Sequence, residues 1–232
     1  MPAWPLPLPS RAIHAFGEGA ALVDLDGPAE AQALAAFLRQ ARLSWLLAAV
    51  PGLSSLLVEF DPLEVEVAAV EQELLAALDS LPSVAPAPGR HRTIPVAYGG
   101  DFGPDLEEVA ARAKLSAAEV IRLHAAAELD VLFDGFAPGF AYLGELPEEI
   151  RVPRLTTPRT HTPRGSVAIA DAMSGIYPAD LPGGWRVIGG TPVELFDPRR
   201  DPPAYLVPGD TVSFESIAAA DWDRYAGAPE DW

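Results

Sequence analysis

The chain contains no cysteine, which excludes disulfide bonds, thiolate catalysis and Cys-ligated metal. Positive charge is scarce. Lys and Arg number 16 against 33 Asp and Glu, giving a net charge of −17, and Lys114 is the single lysine. Nucleic acids and anionic membrane surfaces need basic patches, so neither is an expected partner. Long hydrophobic runs are missing too. No segment offers the roughly 18 uninterrupted apolar residues of a membrane span. The N-terminal MPAWPLPLPSR lacks the basic region and continuous apolar stretch of a signal peptide, and a cytoplasmic location is expected. Several motifs are also absent: the phosphate-cradling G-x-x-x-x-G-K-[ST] loop, a G-x-G-x-x-G after a strand, H-E-x-x-H and the G-x-S-x-G elbow. The four histidines, His14, His91, His124 and His161, are not spaced for a metal pair on one helix, and no metal is expected.

What is present is a folded-protein composition. Hydrophobic residues make up 49% of 232 residues, enough for one large or two small domains. Residues 11–16 and 20–25 alternate as strands, Gly27-Pro28 opens a helix over about 29–42 with Leu34, Phe37, Leu38 and Ala41 on one face, and 44–50 and 55–60 read as a second strand pair. Asp61-Pro62 starts another helix, with Val65, Ala69, Leu74 and Leu78 as its buried stripe. The order ββαββα predicts a small sheet with two helices on one face. The Pro-rich segment 82–92 then reads as a linker. Beyond it come a strand at 93–98, a short helix from Asp105, and a helix capped by Ser116 with Glu119 completing a capping box. His124, four residues before Glu128, is expected at that helix's end, where a cation suits the macrodipole. A strand at 129–133 follows, with a last strand pair at 204–207 and 211–214. Residues 218–232 read as an appended acidic tail.

The run 133–197 packs Gly, Pro and aromatic residues too densely for helix, so it must be turns and short strands. Its best polar candidates are Arg159 in TPRT, Ser166 in PRGS and Tyr177 in GIYP, each flanked by residues that fix the backbone. Arg binds carboxylates or phosphates bidentately, and Tyr can orient a polar group. Equally, Arg159 pairs with one of the many carboxylates of this chain and Tyr177 packs in a barrel. Phe136, Phe140, Tyr142 and Trp185 either wall a pocket or form a core.

The motifs GFAPGFAYLG (135–144), TPR (157–159), PRGSV (163–167), GIYP (175–178) and PGGW (182–185) resemble those of the 5-oxoprolinase B-subunit family, also called allophanate hydrolase subunit 1 or KipI. That family is similar to the C and D subdomains of the urea carboxylase carboxyltransferase. The resemblance implies an α+β chain: an N-terminal α/β sandwich (1–85), a cyclophilin-like β-barrel (86–217) and the acidic tail. It implies the B subunit of an ATP-dependent complex that opens 5-oxoproline to glutamate, with a KipA-like C subunit and an A subunit as partners. The chain is then a non-autonomous part of the enzyme, with ATP as co-substrate of the complex. Two alternatives accompany it: a regulatory module that inhibits a histidine kinase, and a urea/allophanate-type carboxyltransferase component. On the enzyme reading Arg159, Tyr177 and Ser166 are the catalytic candidates. Phe136, Pro138, Phe140, Tyr142, Gly183, Gly184 and Trp185 are the substrate-binding ones. Two departures stand out: Met173 where the family has Gln, and Gly190 where it has Arg. Restoring both is expected to recover affinity for a polar anionic substrate.

Overall fold

A computed structural model describes residues 11–81, 89–230 and 232. Two compact units divide between Pro88 and Gly89. Residues 82–88 of the expected linker lie outside the described residues, and its last two residues, His91 and Arg92, already belong to a strand.

In the first unit, strands β1 (Ile13–Ala15) and β2 (Ala20–Asp24) precede helix α1 (Pro28–Ala41), then β3 (Leu46–Pro51), β4 (Ser55–Phe60) and helix α2 (Val67–Ser80) follow. The sheet is antiparallel in the order β1-β2-β4-β3. Alternation puts Val23, Leu56, Val58 and Phe60 on the face that packs against both helices. The helices bury Ala31, Leu34, Ala35 and Leu38, and Val70, Leu74, Ala77 and Leu78. Phe37 and Ala41, expected on the buried face, are exposed, because the small Ala31 and Ala35 let α1 approach the sheet along a stripe one position earlier. Helix α2 begins at Val67, not after Pro62, which shifts its stripe from Ala69 to Val70.

The second unit is a closed seven-stranded barrel. In chain order come β5 (His91–Tyr98), helices α3 (Leu106–Ala113) and α4 (Ala117–Ala126), β6 (Glu128–Asp134) and β7 (Ala141–Gly144). Then follow β8 (Arg159–Thr162), β9 (Ser166–Ala170), β10 (Met173–Ile176), β11 (Leu181–Gly183), β12 (Arg186–Gly190) and β13 (Thr211–Ser216). The barrel closes in the order β10-β7-β6-β13-β5-β12-β9, and β8 and β11 form a separate ribbon. Closure leaves the barrel itself without an unpaired edge. The expected strand at 204–207 is not formed. Ala204 makes only an isolated bridge to Phe196, and β13 pairs instead with β5 in parallel and β6 antiparallel. Hydrogen bonds hold the intervening turn: the Asp210 carboxylate accepts from the amides of Arg90 and Val207.

The barrel interior is filled by Ile94, Val96, Leu129, Val131, Leu143, Val167, Ile169, Ile188 and Val212. Strand β9 is buried on both faces: Val167 and Ile169 point into this core, while Ala168 and Ala170 lie under a second, aromatic cluster outside it. The segment after 217 is not a detached tail. A 3-10 helix (Ala219–Tyr225) stacks Trp222 on Phe102 with ring centroids 4.4 Å apart. Trp232 donates its indole N–H to the Pro202 carbonyl at 3.0 Å. Buried aromatic surface and a satisfied N–H outweigh the chain entropy of a free terminus. No helix among the described residues is long and apolar enough to cross a membrane.

Candidate functional site

The outer face of β9, β10 and β12 carries small residues, and the aromatic rings of the dense run fill the space they leave. A Cβ on Gly175 would stand 2.9 Å from Phe140 and 3.1 Å from Trp185, so only glycine lets both rings lie on β10. A Cβ on Gly183 would collide with the Tyr177 hydroxyl. Phe140 meets Tyr142, Tyr177 and Trp185 edge to face at centroid distances of 5.0–5.7 Å. This is the geometry that ring quadrupoles favour. Phe136 covers them from the loop before β7. Its φ of 67° is uncommon for a bulky side chain, and its ring stays half-exposed against Phe140 and Tyr177. The rings enclose a cavity of about 160 Å³, completed by Arg154, Leu155, Pro158, Gly183 and Gly184. Burial raises the Tyr177 phenol above its ordinary range, although the Trp185 backbone hydrogen-bonds to it and Arg154 and Arg159 lie near. Burial raises Tyr142 likewise, opposed by Arg154. Both phenols therefore stay protonated at neutral pH and can donate.

A second, larger cavity of about 420 Å³ lies along β8 and the start of β9, facing β12. Arg159, Ser166, His161, Arg164, Gly190 and Trp222 are among its lining residues. Arg159 does not point into it freely. Its Nη2 donates to Asp105 Oδ1 at 2.5 Å, and its Nη1 reaches the Trp185 carbonyl at 3.4 Å. The other Asp105 oxygen accepts from the Val187 amide at 2.7 Å, while the Asp105 amide donates to the Val187 carbonyl at 2.9 Å. A register shift in β12 between Val187 and Gly189 frees Val187 for this exchange. Arg164 pairs with Glu194 at 3.5 Å. Ser166 is buried at the start of β9, and His161 is exposed.

The three catalytic candidates are thus divided. Tyr177 lines the aromatic cavity; Arg159 and Ser166 line the other. Of the substrate-binding candidates, Phe136, Phe140, Tyr142, Gly183, Gly184 and Trp185 come together around the aromatic cavity, and Pro138 stands exposed outside it. The two departures also separate. Gly190 lines the larger cavity, whereas Met173 packs at the edge of the aromatic cluster. Sequence reasoning missed Arg154, although it lies in the same proline-bounded stretch as Arg159. It read Asp105 only as a helix start.

His124 corrects an expectation. It lies in the last turn of α4, as expected, but not as a cation: the side chain is fully buried, and burial pushes its pKa down to about 3. Ser174 Oγ donates to the Ala168 carbonyl at 3.2 Å, so it must accept from His124 Nε2–H at 3.0 Å. Nδ1 then accepts from the Tyr98 hydroxyl at 2.7 Å. The ring is a neutral Nε2–H tautomer, stacked on Phe214. Ser116 does cap α4, accepting from the Glu119 amide, but the Glu119 carboxylate turns to Arg122 and does not close the box. Among the described residues no group of three or more His, Asp or Glu could hold a metal ion.

Comparison with known proteins places the chain in a family. The family model described as "Carboxyltransferase domain, subdomain C and D" matches residues 11–206. The 5-oxoprolinase B subunit from Bacillus subtilis (strain 168) is 39% identical over 203 residues, covering 83% of this chain and 85% of that protein. Among solved structures, TTHA0988 superposes with a TM-score of 0.76 at 36% identity, over 86% of this chain. The chain spans only 40% of that longer protein. The Kluyveromyces lactis urea amidolyase shares the fold, with a TM-score of 0.76 at 18% identity over 94% of this chain and 16% of that one.

Proposed function

The chain belongs to the carboxyltransferase subdomain C and D family, and from that premise we propose that it is the B subunit of a 5-oxoprolinase, acting with partner subunits to open 5-oxoproline to glutamate at the expense of ATP. The observation that carries this reading is the similarity to a 5-oxoprolinase B subunit over most of both chains. The aromatic cavity supports it. A cavity of about 150 Å³ takes one small ring, and the space here is about 160 Å³.

The part played by this chain is positioning. The rings of Phe140, Tyr142 and Trp185 hold the lactam and exclude water, which strengthens every polar contact inside. The Tyr177 phenol oxygen accepts from the Trp185 backbone, and its one hydrogen, retained because burial keeps the group protonated, is donated to a ligand oxygen. An unstrained amide resists direct attack, and phosphorylation of the lactam oxygen supplies the activation. We assign the nucleotide to the partners, the C and A subunits. The arginines lining the larger cavity, Arg159 and Arg164, are already paired with Asp105 and Glu194.

The test is co-expression with these two partners, followed by measurement of 5-oxoproline-dependent ATP hydrolysis and glutamate formation. Turnover that requires all three chains supports the reading. A reconstituted complex that hydrolyses ATP without regard to 5-oxoproline overturns it.

A further inference from the structure

Three arginines follow one another in the segment that roofs the aromatic cavity, and two of them are spoken for. Arg151 donates to the Leu146 carbonyl and pairs with Glu145 at 3.0 Å. Arg159 is tied to Asp105. Arg154 alone of the three has no ion pair and no hydrogen bond among the described residues, and its guanidinium stands exposed at the cavity, 6.0 Å from the Trp185 ring centroid. Its backbone, by contrast, is fixed. The Val152 carbonyl accepts from the Asp171 amide at 2.7 Å. The Pro153 carbonyl accepts from buried Arg186 Nε at 2.9 Å. The Leu155 amide donates to the Gly184 carbonyl at 2.8 Å. A flexible cation on a clamped backbone, beside an aromatic wall and two protonated phenols, is what a bidentate carboxylate site requires. In a chain of net charge −17 an anionic ligand is repelled overall, so a local cation without a carboxylate partner is the feature that admits one.

We propose that Arg154, not Arg159, binds the carboxylate of the ligand in the aromatic cavity, and that this cavity is a site for a small ring bearing one carboxylate. The ring lies among Phe140, Tyr142 and Trp185, the carboxylate meets Arg154 at the mouth, and Tyr177 donates to the ring's polar atom. The ligand class rests on the 5-oxoprolinase reading; the assignment of Arg154 rests on the geometry.

Binding to the full chain, alone and in the co-expressed complex, is measured by calorimetry with 5-oxoproline, with its carboxamide, and with a panel of five- and six-membered ring monocarboxylates. Loss of one charge-assisted hydrogen bond costs roughly tenfold to a hundredfold in affinity. Arg154→Ala is expected to lose that much for 5-oxoproline while its melting temperature holds. The carboxamide should bind weakly and equally to wild type and variant, and Arg154→Lys should retain part of the affinity. If the complex turns over 5-oxoproline and Arg154→Ala binds it as tightly as wild type, the inference falls and the functional reading stands. If 5-oxoproline neither binds nor reacts but another ring carboxylate binds in an Arg154-dependent way, the functional reading falls and the inference stands. If no ring carboxylate binds the chain or the complex, both fall.

Discussion

Arg154 and Arg159 lie five residues apart in one proline-bounded segment, yet the two cavities they line use them in opposite ways. At the larger cavity, Arg159 is folded back onto Asp105, which itself clips the start of α3 to Val187 of β12. At the aromatic cavity, Arg154 leaves its charge unspent. A paired arginine stabilises the scaffold and has little left to give a ligand. An arginine without a carboxylate partner contributes little to folding and keeps its capacity for recognition. Residue type and motif context are the same in both cases; only the placement of one carboxylate, Asp105, separates them.

The sharpest way to break this contrast is Asp105→Ala. The change strands the Val187 amide and leaves Arg159 without its counter-charge, both in a largely buried setting. A loss on the order of 3 kcal/mol is expected, because an uncompensated buried partner remains. For a unit of this size that is a fall of roughly 6–12 °C in melting temperature. Arg159→Ala should cost less, since its side chain is 30% exposed. If both variants melt like wild type, the pair is not structural and Arg159 returns as a ligand-binding candidate.

The barrel interior supplies the next largest effect. His124 titrates near 3 in the folded chain and near 6.5 when unfolded. Between these values the unfolded state binds the extra proton, so stability is complete above about pH 6.5 and falls as pH drops toward 3. The slope is about 1.4 kcal/mol per pH unit for one proton, or about 2 kcal/mol at pH 5. His124→Gln keeps a polar group between Tyr98 and Ser174 but cannot take up that proton. Denaturant unfolding from pH 7 to pH 4.5 should show a shallower fall for the variant. Equal slopes would show that His124 is accessible to protons in the folded barrel.

A third prediction concerns the larger cavity. Restoring arginine at Gly190 together with glutamine at Met173 is expected from the sequence to recover affinity. In the structure, a Cβ there already stands 3.2 Å from Phe102 and 3.3 Å from Trp222. Trp222 covers Gly190, so the arginine must displace it at a cost of about 1–2 kcal/mol. Gly190→Arg alone should therefore lower the melting temperature and leave 5-oxoproline affinity unchanged. Adding Trp222→Ala should relieve the strain. A gain in affinity from Gly190→Arg alone would join the two cavities into one site.

These cases show what sequence could and could not convey. The ββαββα order, the capping serine and the strand-rich run 133–197 follow from periodicity and from Pro and Gly, which act locally. The aromatic cavity was legible as a motif because Gly175, Gly183 and the rings around them are close in sequence as well as in space. The division of Arg159 from Arg154 was not legible. It depends on Asp105, 54 residues before Arg159 and brought to it only by the barrel's closure. His124 failed for the same reason: its partners Tyr98 and Ser174 come from opposite sides of the chain and bury it together. Strand 204–207 failed because a turn-like Pro-Gly-Asp suggests a hairpin, whereas the Asp210 carboxylate is spent on the amides of Arg90 and Val207.

The smallest expected effect is also the one on which the contrast turns. Arg154→Ala should change folding stability by no more than about 0.5 kcal/mol, the range of an exposed substitution that breaks no cap, pair or packing contact. The segment around it is held by the backbone and by Arg186, none of which involves the Arg154 side chain. Its contact with Trp185, at 6.0 Å, stands at the outer limit of a cation–ring attraction and so contributes no more than the lower end of such contacts, about 0.5 kcal/mol. Thermal unfolding of Arg154→Ala beside Arg159→Ala, under one buffer and pH, reads the difference directly. The expected order is wild type and Arg154→Ala together, with Arg159→Ala several degrees below. A reversed order, with Arg154→Ala the less stable, would mean that Arg154 serves the scaffold and Arg159 is the cation kept for a ligand.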